Sequence, residues 1–113
     1  QNMDKLYDKK CVACDGSTMP FDISEIHKYL KKVDDWDVKT NDKKSYYLEK
    51  SFKFKNFIES QAFIDKVCST AETEKHHPDI NFGWGYAKIK IFTHTIKGLT
   101  ESDFILAAKI DQI

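Results

Sequence analysis

Hydrophobic and polar positions along the chain follow two different periods. Stretches with apolar residues three and four positions apart predict helices, and stretches with every second residue apolar predict strands. Helices are predicted within FDISEIHKYLKKV, KNFIESQAFIDKVCSTAETEK and LTESDFILAAKIDQI, and strands within WDVKT, SYYLEKSFKF and the two arms of DINFGWGYAKIKIFTHT. The predicted order is therefore helix, strand, strand, helix, strand, strand, helix.

The connections between neighbouring strands are short and rich in turn-forming residues. Asn41 and Asp42 lie between the first two strands, and Gly83 and Gly85 bracket Trp84 between the last two. Short hairpins imply antiparallel pairing, and helices gathered on one face of such a sheet form two layers. The sequence thus predicts an α+β two-layer sandwich with a four-stranded antiparallel sheet and three helices on one face.

Capping residues and apolar spacing predict finer details of these elements. Ser24 and Asn56 are the expected N-caps of the first two helices, and Thr100 with Asp103 resembles a capping box before the third. Lys50 interrupts the apolar face of the second strand, and it is expected to snorkel or to lie near the sheet edge. The residues expected to face the core from the long helix are Phe57, Ala62, Phe63, Val67, Cys68 and Ala71.

Length and charge limit the classes of function. With 113 residues the chain predicts one domain over residues 21–113, after a lead-in over residues 1–20. The 18 basic and 18 acidic residues balance. A balanced charge argues against direct binding to nucleic acid or to an anionic membrane surface, since both attract surplus cations. No apolar run approaches the ~18 residues of a membrane span, and no signal-peptide pattern opens the chain.

Three cysteines, Cys11, Cys14 and Cys68, are an odd number, and without a secretory pattern they predict reduced thiols. A cytoplasmic location follows, with the nucleus as the alternative. Cys11 and Cys14 form a single C-x-x-C, for which a structural, a metal-binding and a redox role are open. The structural role is favoured, because a closed zinc site needs four ligands and no βαβ pattern follows.

Two adjacent histidines, His76 and His77, stand where the long helix is expected to end, and Pro78 follows them. Proline disfavours the helical conformation of the residue before it, so the helix is predicted to end around His76. Glu72 lies one helical turn before His76 and is expected to hydrogen-bond to that ring. The boundary is expected to direct both imidazoles into one cleft, and strand pairing would bring His94 towards it.

Three imidazoles in one cleft suit general acid/base catalysis at pH 7. The spacing alone leaves two other interpretations open. The three histidines with Glu72 match ligand types of zinc or iron, although a second histidine at helical spacing is missing. Alternatively, each histidine is an ordinary surface residue, and the pair interacts only with the helix dipole.

The segment AETEKHHPDINFGWGYAKIKIFTHTIKGLTESD resembles the signature of the pterin-4a-carbinolamine dehydratase family. That signature places an acidic residue before His-His-Pro, and an aromatic residue, a histidine and an aspartate after it. The matching residues here are Glu72, His76, His77, Pro78, Trp84, His94 and Asp103. FKFKNF, DDW and KKCVACDGSTMP resemble further segments of the family, so the likeness covers nearly the whole chain. Ile80 departs from the family pattern, in which an aromatic residue is frequent at that position.

The resemblance implies dehydration of 4a-hydroxytetrahydrobiopterin to quinonoid dihydrobiopterin and water, as part of tetrahydrobiopterin recycling. His76, His77 and His94 would be the catalytic residues, with His76 and His94 as the main acid/base pair and His77 also binding the pterin. Glu72, Pro78, Trp84 and Asp103 would bind substrate or support the site. The reaction implies neither a metal nor another cofactor.

The resemblance also implies partners. The activity would be coupled functionally to an aromatic amino acid hydroxylase, whose product is the substrate. Family members pair through edge strands into homodimers and form homotetramers by packing their long helices. An alternative function is that of a protein-binding dimerisation cofactor of a transcription factor, a role that would not need the three histidines.

Overall fold

The computed structural model describes residues 6–11 and 18–113. Within these residues the chain forms a short 3-10 helix, three α-helices and four strands. Their bounds are Leu6–Asp8 for the 3-10 helix, Ile23–Leu30 (α1), Asp37–Thr40 (β1), Tyr46–Lys53 (β2), Phe57–Glu74 (α2), Asp79–Gly83 (β3), Tyr86–Ile91 (β4) and Glu101–Asp111 (α3). None of the helices in this described part is long and apolar enough to cross a membrane.

The four strands form one antiparallel sheet in the order β1-β2-β4-β3. In the central pair, Leu48 of β2 lies opposite Ile91 of β4. On the other side of β4, Ile89 lies opposite Ile80 of β3. The predicted order of elements and the α+β class are confirmed, and β1 and β3 are the edges of the sheet.

One face of the sheet supports the core. The inward side chains of β4 have no exposed surface, whereas Lys88 between them is exposed; the inward set is Ala87, Ile89 and Ile91. Phe104 of α3 and Val67 of α2 are fully buried in the same cluster. Full burial of a large apolar side chain contributes about 1.5–3 kcal/mol. The helices are therefore held on this face by apolar packing.

The helix α2 turns a different stripe to the core than its sequence predicted. Phe57, Ala62 and Cys68 are exposed, so their predicted core positions are wrong. The buried residues of α2 are Ser60, Phe63, Ile64, Val67 and Ala71. This set follows one narrow helical face. The predicted set mixed two faces, because positions five apart, such as Phe57 and Ala62, point about 140° apart around a helix.

The caps of the helices were predicted in two cases out of three. Asp22, not Ser24, is the N-cap of α1, and its carboxylate accepts the N–H three residues later at 2.9 Å. Asn56 caps α2 as predicted. The capping box of α3 is also confirmed, since the Thr100 N–H donates to Asp103 Oδ2 at 2.8 Å.

Residues 6–11 are anchored on the helical layer. Leu6 is buried in the core cluster. The Cys11 N–H donates to Glu74 Oε1 at 2.9 Å, and Lys109 Nζ donates to the Tyr7 carbonyl at 2.8 Å. Part of the predicted lead-in over residues 1–20 thus packs into the core. The predicted start of the domain at residue 21 stays a prediction.

Lys50 belongs to β2, a central strand, so it does not lie at the sheet edge. Its ammonium group reaches a partly buried carboxylate, with Nζ at 2.8 Å from Asp111 Oδ1 and 2.6 Å from the Asp34 carbonyl. The Trp36 Nε1–H donates to the same carboxylate at 3.0 Å. The polar break in this strand is therefore satisfied by the end of α3.

Candidate functional site

The end of α2 determines where the paired histidines point. The last helical residue is Glu74, and Lys75 follows in the left-handed conformation, with φ of 55°. The His76 N–H donates to the Ala71 carbonyl at 3.1 Å, which is part of a Schellman motif. The predicted helix end around His76 is therefore too late. The chain leaves the helix at Lys75, before Pro78 can influence it.

His76 points inward, onto the first turn of α3. Its Nε2 lies 2.6 Å from Oδ1 of Asp103, which has no exposed surface. The other oxygen of Asp103, Oδ2, accepts the Thr93 hydroxyl at 2.7 Å and the Thr100 N–H at 2.8 Å. A carboxylate at a helix N-terminus is also favoured by the helix dipole. His76 is thus oriented by a buried and fully hydrogen-bonded carboxylate.

His77 points to the other side, over the last turns of α2. Its Nε2 lies 2.5 Å from Glu72 Oε2, and both side chains are exposed. The predicted hydrogen bond between Glu72 and His76 is therefore wrong. The left-handed residue Lys75 turns His76 inward and leaves the next ring, His77, within reach of Glu72. Pro78 is half-buried and leads directly into β3.

His94 follows β4 in a short loop. The loop is closed by a backbone pair between Thr93 and Gly98, with the Thr93 N–H donating to the Gly98 carbonyl at 2.8 Å. The His94 ring lies against Phe92, with 4.2 Å between ring centroids. Side chains alternate between the two faces along the line of β4. Phe92 and His94 fall on the positions that face away from the core, and Thr93 falls on a position that faces the core.

His94 lines a cavity of about 380 Å³ between its loop and the β1–β2 turn. The other lining residues are Asn41, Asp42, Lys43, Ser45, Phe92 and Lys97. Neither His76 nor His77 lines this cavity. No hydrogen bond or ring contact in the described part of the chain joins His94 to either of them. Asp79, after the paired histidines, lies opposite Lys90 near the end of β4, so all three histidines belong to the same end of the sheet, and their meeting in one cleft stays a prediction. His94 and His76 are instead connected through the neighbour of His94, Thr93, and through Asp103.

Trp84 lies far from the histidines. It occupies the β3–β4 turn and is 71% exposed. The six residues of β4 separate this turn from the His94 loop, and at ~3.3 Å per residue they span about 20 Å. The predicted role of Trp84 in binding substrate or supporting the site therefore has no contact with the histidines behind it in the described residues, and it stays a prediction.

Thr93 is a residue of the candidate site that no sequence pattern singles out. It continues the core-facing parity of Ala87, Ile89 and Ile91, and it is 6% exposed. A hydroxyl group at a buried position requires a hydrogen-bond partner. The sequence could therefore have indicated that Thr93 has a polar partner, and Asp103 is one of the nearby carboxylates that could accept its hydrogen bond.

Metal binding was one of the open interpretations. Over residues 6–11 and 18–113, no three His, Cys, Asp or Glu side chains are grouped as a metal site would require. Cys14 lies outside the described residues. Cys11 Sγ donates to the Ser102 carbonyl at 3.4 Å, and burial together with Glu74 raises the pKa of its thiol to about 12. The protonated thiol of Cys11 is a poor metal ligand.

A family model described as "Pterin 4 alpha carbinolamine dehydratase" matches residues 19–113. A relative from Rubrobacter xylanophilus is 43% identical over 98% of this chain and all of its own length. One from Halorhodospira halophila is 45% identical over 96% of both chains. Both carry the name pterin-4-alpha-carbinolamine dehydratase as a provisional name.

Two solved structures have the same fold. One is a transcriptional coactivator/pterin dehydratase from Brucella melitensis, with a TM-score of 0.72 and 28% identity, covering 82% of this chain and 96% of that one. The other is a pterin dehydratase-like protein identified as a RuBisCO assembly factor in the alpha-carboxysome, with a TM-score of 0.58 and 29% identity, covering 68% and 86%. From its sequence and its fold, this chain belongs to the pterin-4-alpha-carbinolamine dehydratase family.

Proposed function

We propose that this protein dehydrates 4a-hydroxytetrahydrobiopterin to quinonoid dihydrobiopterin and water by histidine general acid/base catalysis. The C4a–O bond breaks and the hydroxyl group leaves as water after it accepts a proton. N5 loses its proton as the C4a=N5 double bond forms. One group must therefore donate a proton and another must accept one, and imidazole does both near neutral pH.

The hydrogen bond between His76 and Asp103 carries this proposal. An imidazole that is mostly buried, with a side chain 14% exposed, is held at 2.6 Å by a carboxylate with no exposed surface. A fixed ring transfers protons efficiently, because its reacting nitrogen stays in one orientation towards the substrate. An ordinary surface histidine has no such support.

The other site residues are proposed to take the following roles. His76 and His94 form the main acid/base pair, and His77 handles protons and binds the pterin with Glu72 as its partner. The cavity beside His94 offers the ring of Phe92 and several polar groups that could contact a flat heterocycle. Asp103 supports His76, and Pro78 starts the extended segment after His77.

The proposed reaction moves only protons and water, so it requires no metal and no redox cofactor. Its substrate is the product of aromatic amino acid hydroxylases, which couples the protein functionally to such an enzyme in the cytoplasm. The proposed independence from metal is tested by elemental analysis of the purified protein and by measuring its activity after chelation. Stoichiometric zinc or iron that is lost together with activity would overturn it.

The decisive experiment is a dehydration assay with 4a-hydroxytetrahydrobiopterin on wild type and single variants. His76→Ala and His94→Ala should each lower the rate by about 100-fold, the lower end for loss of a general acid or base. The double variant should lose much more than either. His27→Ala is the matched control, since His27 is exposed on α1. Wild-type activity in the double variant, or an equal loss in the control, would exclude this site.

A second candidate function is protein binding, as a dimerisation cofactor of a transcription factor. The observation that favours it is a hairpin patch of apolar side chains, formed by Phe57, Ile58, Phe82 and Trp84. Ile58 is 68% and Trp84 is 71% exposed, and the rings of Phe57 and Phe82 stack at 5.7 Å. A pulldown with wild type and Trp84→Ser tests it, because equal capture by both proteins excludes the patch as a docking surface.

A further inference from the structure

Thr93 stands between the two halves of the proposed site. It is buried at the end of β4, and its hydroxyl group donates to Asp103 Oδ2 at 2.7 Å. Its backbone pairs with Gly98 and thereby closes the loop that carries His94. The same residue therefore contacts the carboxylate that holds His76 and fixes the base of the His94 loop.

The hydrogen bonds of Asp103 determine which nitrogen of His76 carries a proton. Oδ2 already accepts two hydrogen bonds, from the Thr93 hydroxyl and the Thr100 N–H. Oδ1 faces His76 Nε2 at 2.6 Å. A carboxylate only accepts hydrogen bonds, so the imidazole must be the donor and Nε2 must carry the hydrogen. In the neutral ring, Nδ1 is then the unprotonated nitrogen.

We infer that Thr93 is a positioning residue that holds the Asp103 carboxylate so that His76 is fixed as the Nε2–H tautomer, with Nδ1 as the atom that exchanges protons with the substrate. The tautomer follows from the hydrogen bonds alone, and only the exchange with substrate rests on the proposed function. Without the Thr93 hydroxyl, Oδ2 keeps one donor, and the carboxylate gains freedom to rotate. Rotation would turn the His76 ring and move Nδ1.

The direct test is a long-range ¹H–¹⁵N NMR correlation spectrum of the imidazole rings, recorded at a pH where the His76 ring is neutral. The His76 signals are assigned by their absence in His76→Gln. The expected wild-type pattern has a protonated Nε2 and an unprotonated Nδ1. A protonated Nδ1 in the neutral ring, or a ring that keeps both protons wherever the folded protein is studied, would overturn the assignment.

Variants of Thr93 test the positioning role. Thr93→Val keeps the branched shape and removes the hydroxyl, whereas Thr93→Ser keeps the hydroxyl. The His76 signals should shift towards a mixture of tautomers in Thr93→Val and return to the wild-type pattern in Thr93→Ser. Thr70→Val on α2 is the matched control, because Thr70 is half-buried and outside this network. Thermal unfolding shows whether each variant is folded at the temperature of the experiment.

Kinetics then link the tautomer to the reaction. Thr93→Val should lower kcat by about 10- to 100-fold, the size expected when a reacting group is misplaced, with little change in KM. Thr93→Ser should stay within about threefold of wild type. A Thr93→Val variant that matches wild type in both its spectrum and its kcat would overturn the role of Thr93. If wild type dehydrates no pterin at all, the proposed function fails, while the spectra still decide the tautomer and the part played by Thr93.

Discussion

His76 Nε2 and Asp103 Oδ1 lie 2.6 Å apart, although the two residues are 27 positions apart in the sequence. The same carboxylate belongs to the capping box of α3 and accepts the Thr100 N–H. One side chain therefore both begins a core helix and orients a candidate catalytic ring. Stability and activity are expected to depend on Asp103 together.

Replacing Asp103 should affect both properties. Asp103→Ala removes the buried acceptor of the Thr93 hydroxyl and of the Thr100 N–H, and a buried polar group that loses its partner costs about 1–3 kcal/mol. His76 also loses its partner, so the dehydration rate should fall. Urea unfolding and the pterin assay measure the two effects. Glu101→Gln, in the same turn but bound to the partly exposed Lys9, should change stability by less than about 1 kcal/mol. Full activity in Asp103→Ala would contradict the assigned orientation of His76.

The fold could be predicted because its signals repeat along the chain. Every second residue of β4, from Ala87 to Ile91, is buried. Turn-forming residues, Asn41 and Asp42 in one hairpin and Gly83 and Gly85 in the other, lie between the paired strands. The stripe of α2 was less predictable. Phe57 is apolar yet exposed in the hairpin patch, and Ser60 is polar yet buried, because its hydroxyl donates to the Asn56 carbonyl at 3.1 Å. Such local exceptions leave no periodic signal.

The site residues stay predictions, and their contacts could not be predicted from the sequence. The reversal at Lys75 depends on a left-handed conformation that costs a non-glycine residue roughly 1–2 kcal/mol. The capping hydrogen bonds to the last carbonyls of α2 offset that cost, and no local sequence rule identifies them. For this reason helical spacing predicted a contact between Glu72 and His76, whereas the structure pairs Glu72 with His77.

Asp111 should be essential for stability away from the site. It accepts hydrogen bonds from Lys50 and Trp36, and the Lys50–Asp111 pair has side chains only 14% and 10% exposed. Removal of one member of a buried pair leaves an uncompensated charge and costs about 3–5 kcal/mol. Asp111→Ala should show such a loss in urea unfolding. Lys28→Ala, which breaks an exposed pair with Glu25, should cost no more than about 0.5 kcal/mol. Similar losses in both variants would contradict this account.

The thiols of Cys11 and Cys68 should differ in reactivity. Burial, followed by the nearby Glu74 carboxylate, raises the pKa of Cys11 from its ordinary value of 9.0 to about 12. Cys68 is exposed on α2. Because the thiolate is the reactive form, iodoacetamide at a pH of about 8 should alkylate Cys68 well before Cys11. Peptide mass spectrometry over time measures both rates. Equal rates would show that Cys11 is not held in its protonated form.

The same pKa predicts how stability depends on pH. The pKa of Cys11 is higher in the folded protein than its ordinary value of 9.0, so folding disfavours the thiolate. Its contribution is fully present below pH 9.0 and is lost as the pH rises towards about 12. Wild type should therefore lose more unfolding free energy than Cys11→Ala between a pH of about 8 and about 10. Lysines and tyrosines titrate in both proteins, so the difference between them isolates Cys11, and parallel curves would refute the prediction.

Self-association is expected through the edge strand β3 and the hairpin patch. One side of β3 pairs with β4, and no described residues pair with its other side. Exposed strand edges invite pairing with another chain unless they are protected, and exposed apolar patches mark interaction surfaces. A second copy could extend the sheet and cover Trp84 and Ile58, so we expect at least a homodimer.

Sedimentation at micromolar concentration should give at least twice 13.2 kDa. Trp84→Ser and Ile58→Lys should lower that mass, whereas Met19→Ser, at a residue 81% exposed outside the patch, should not. A wild-type monomer of 13.2 kDa would contradict the homodimer, and unchanged assembly in both patch variants would exclude the patch as its interface.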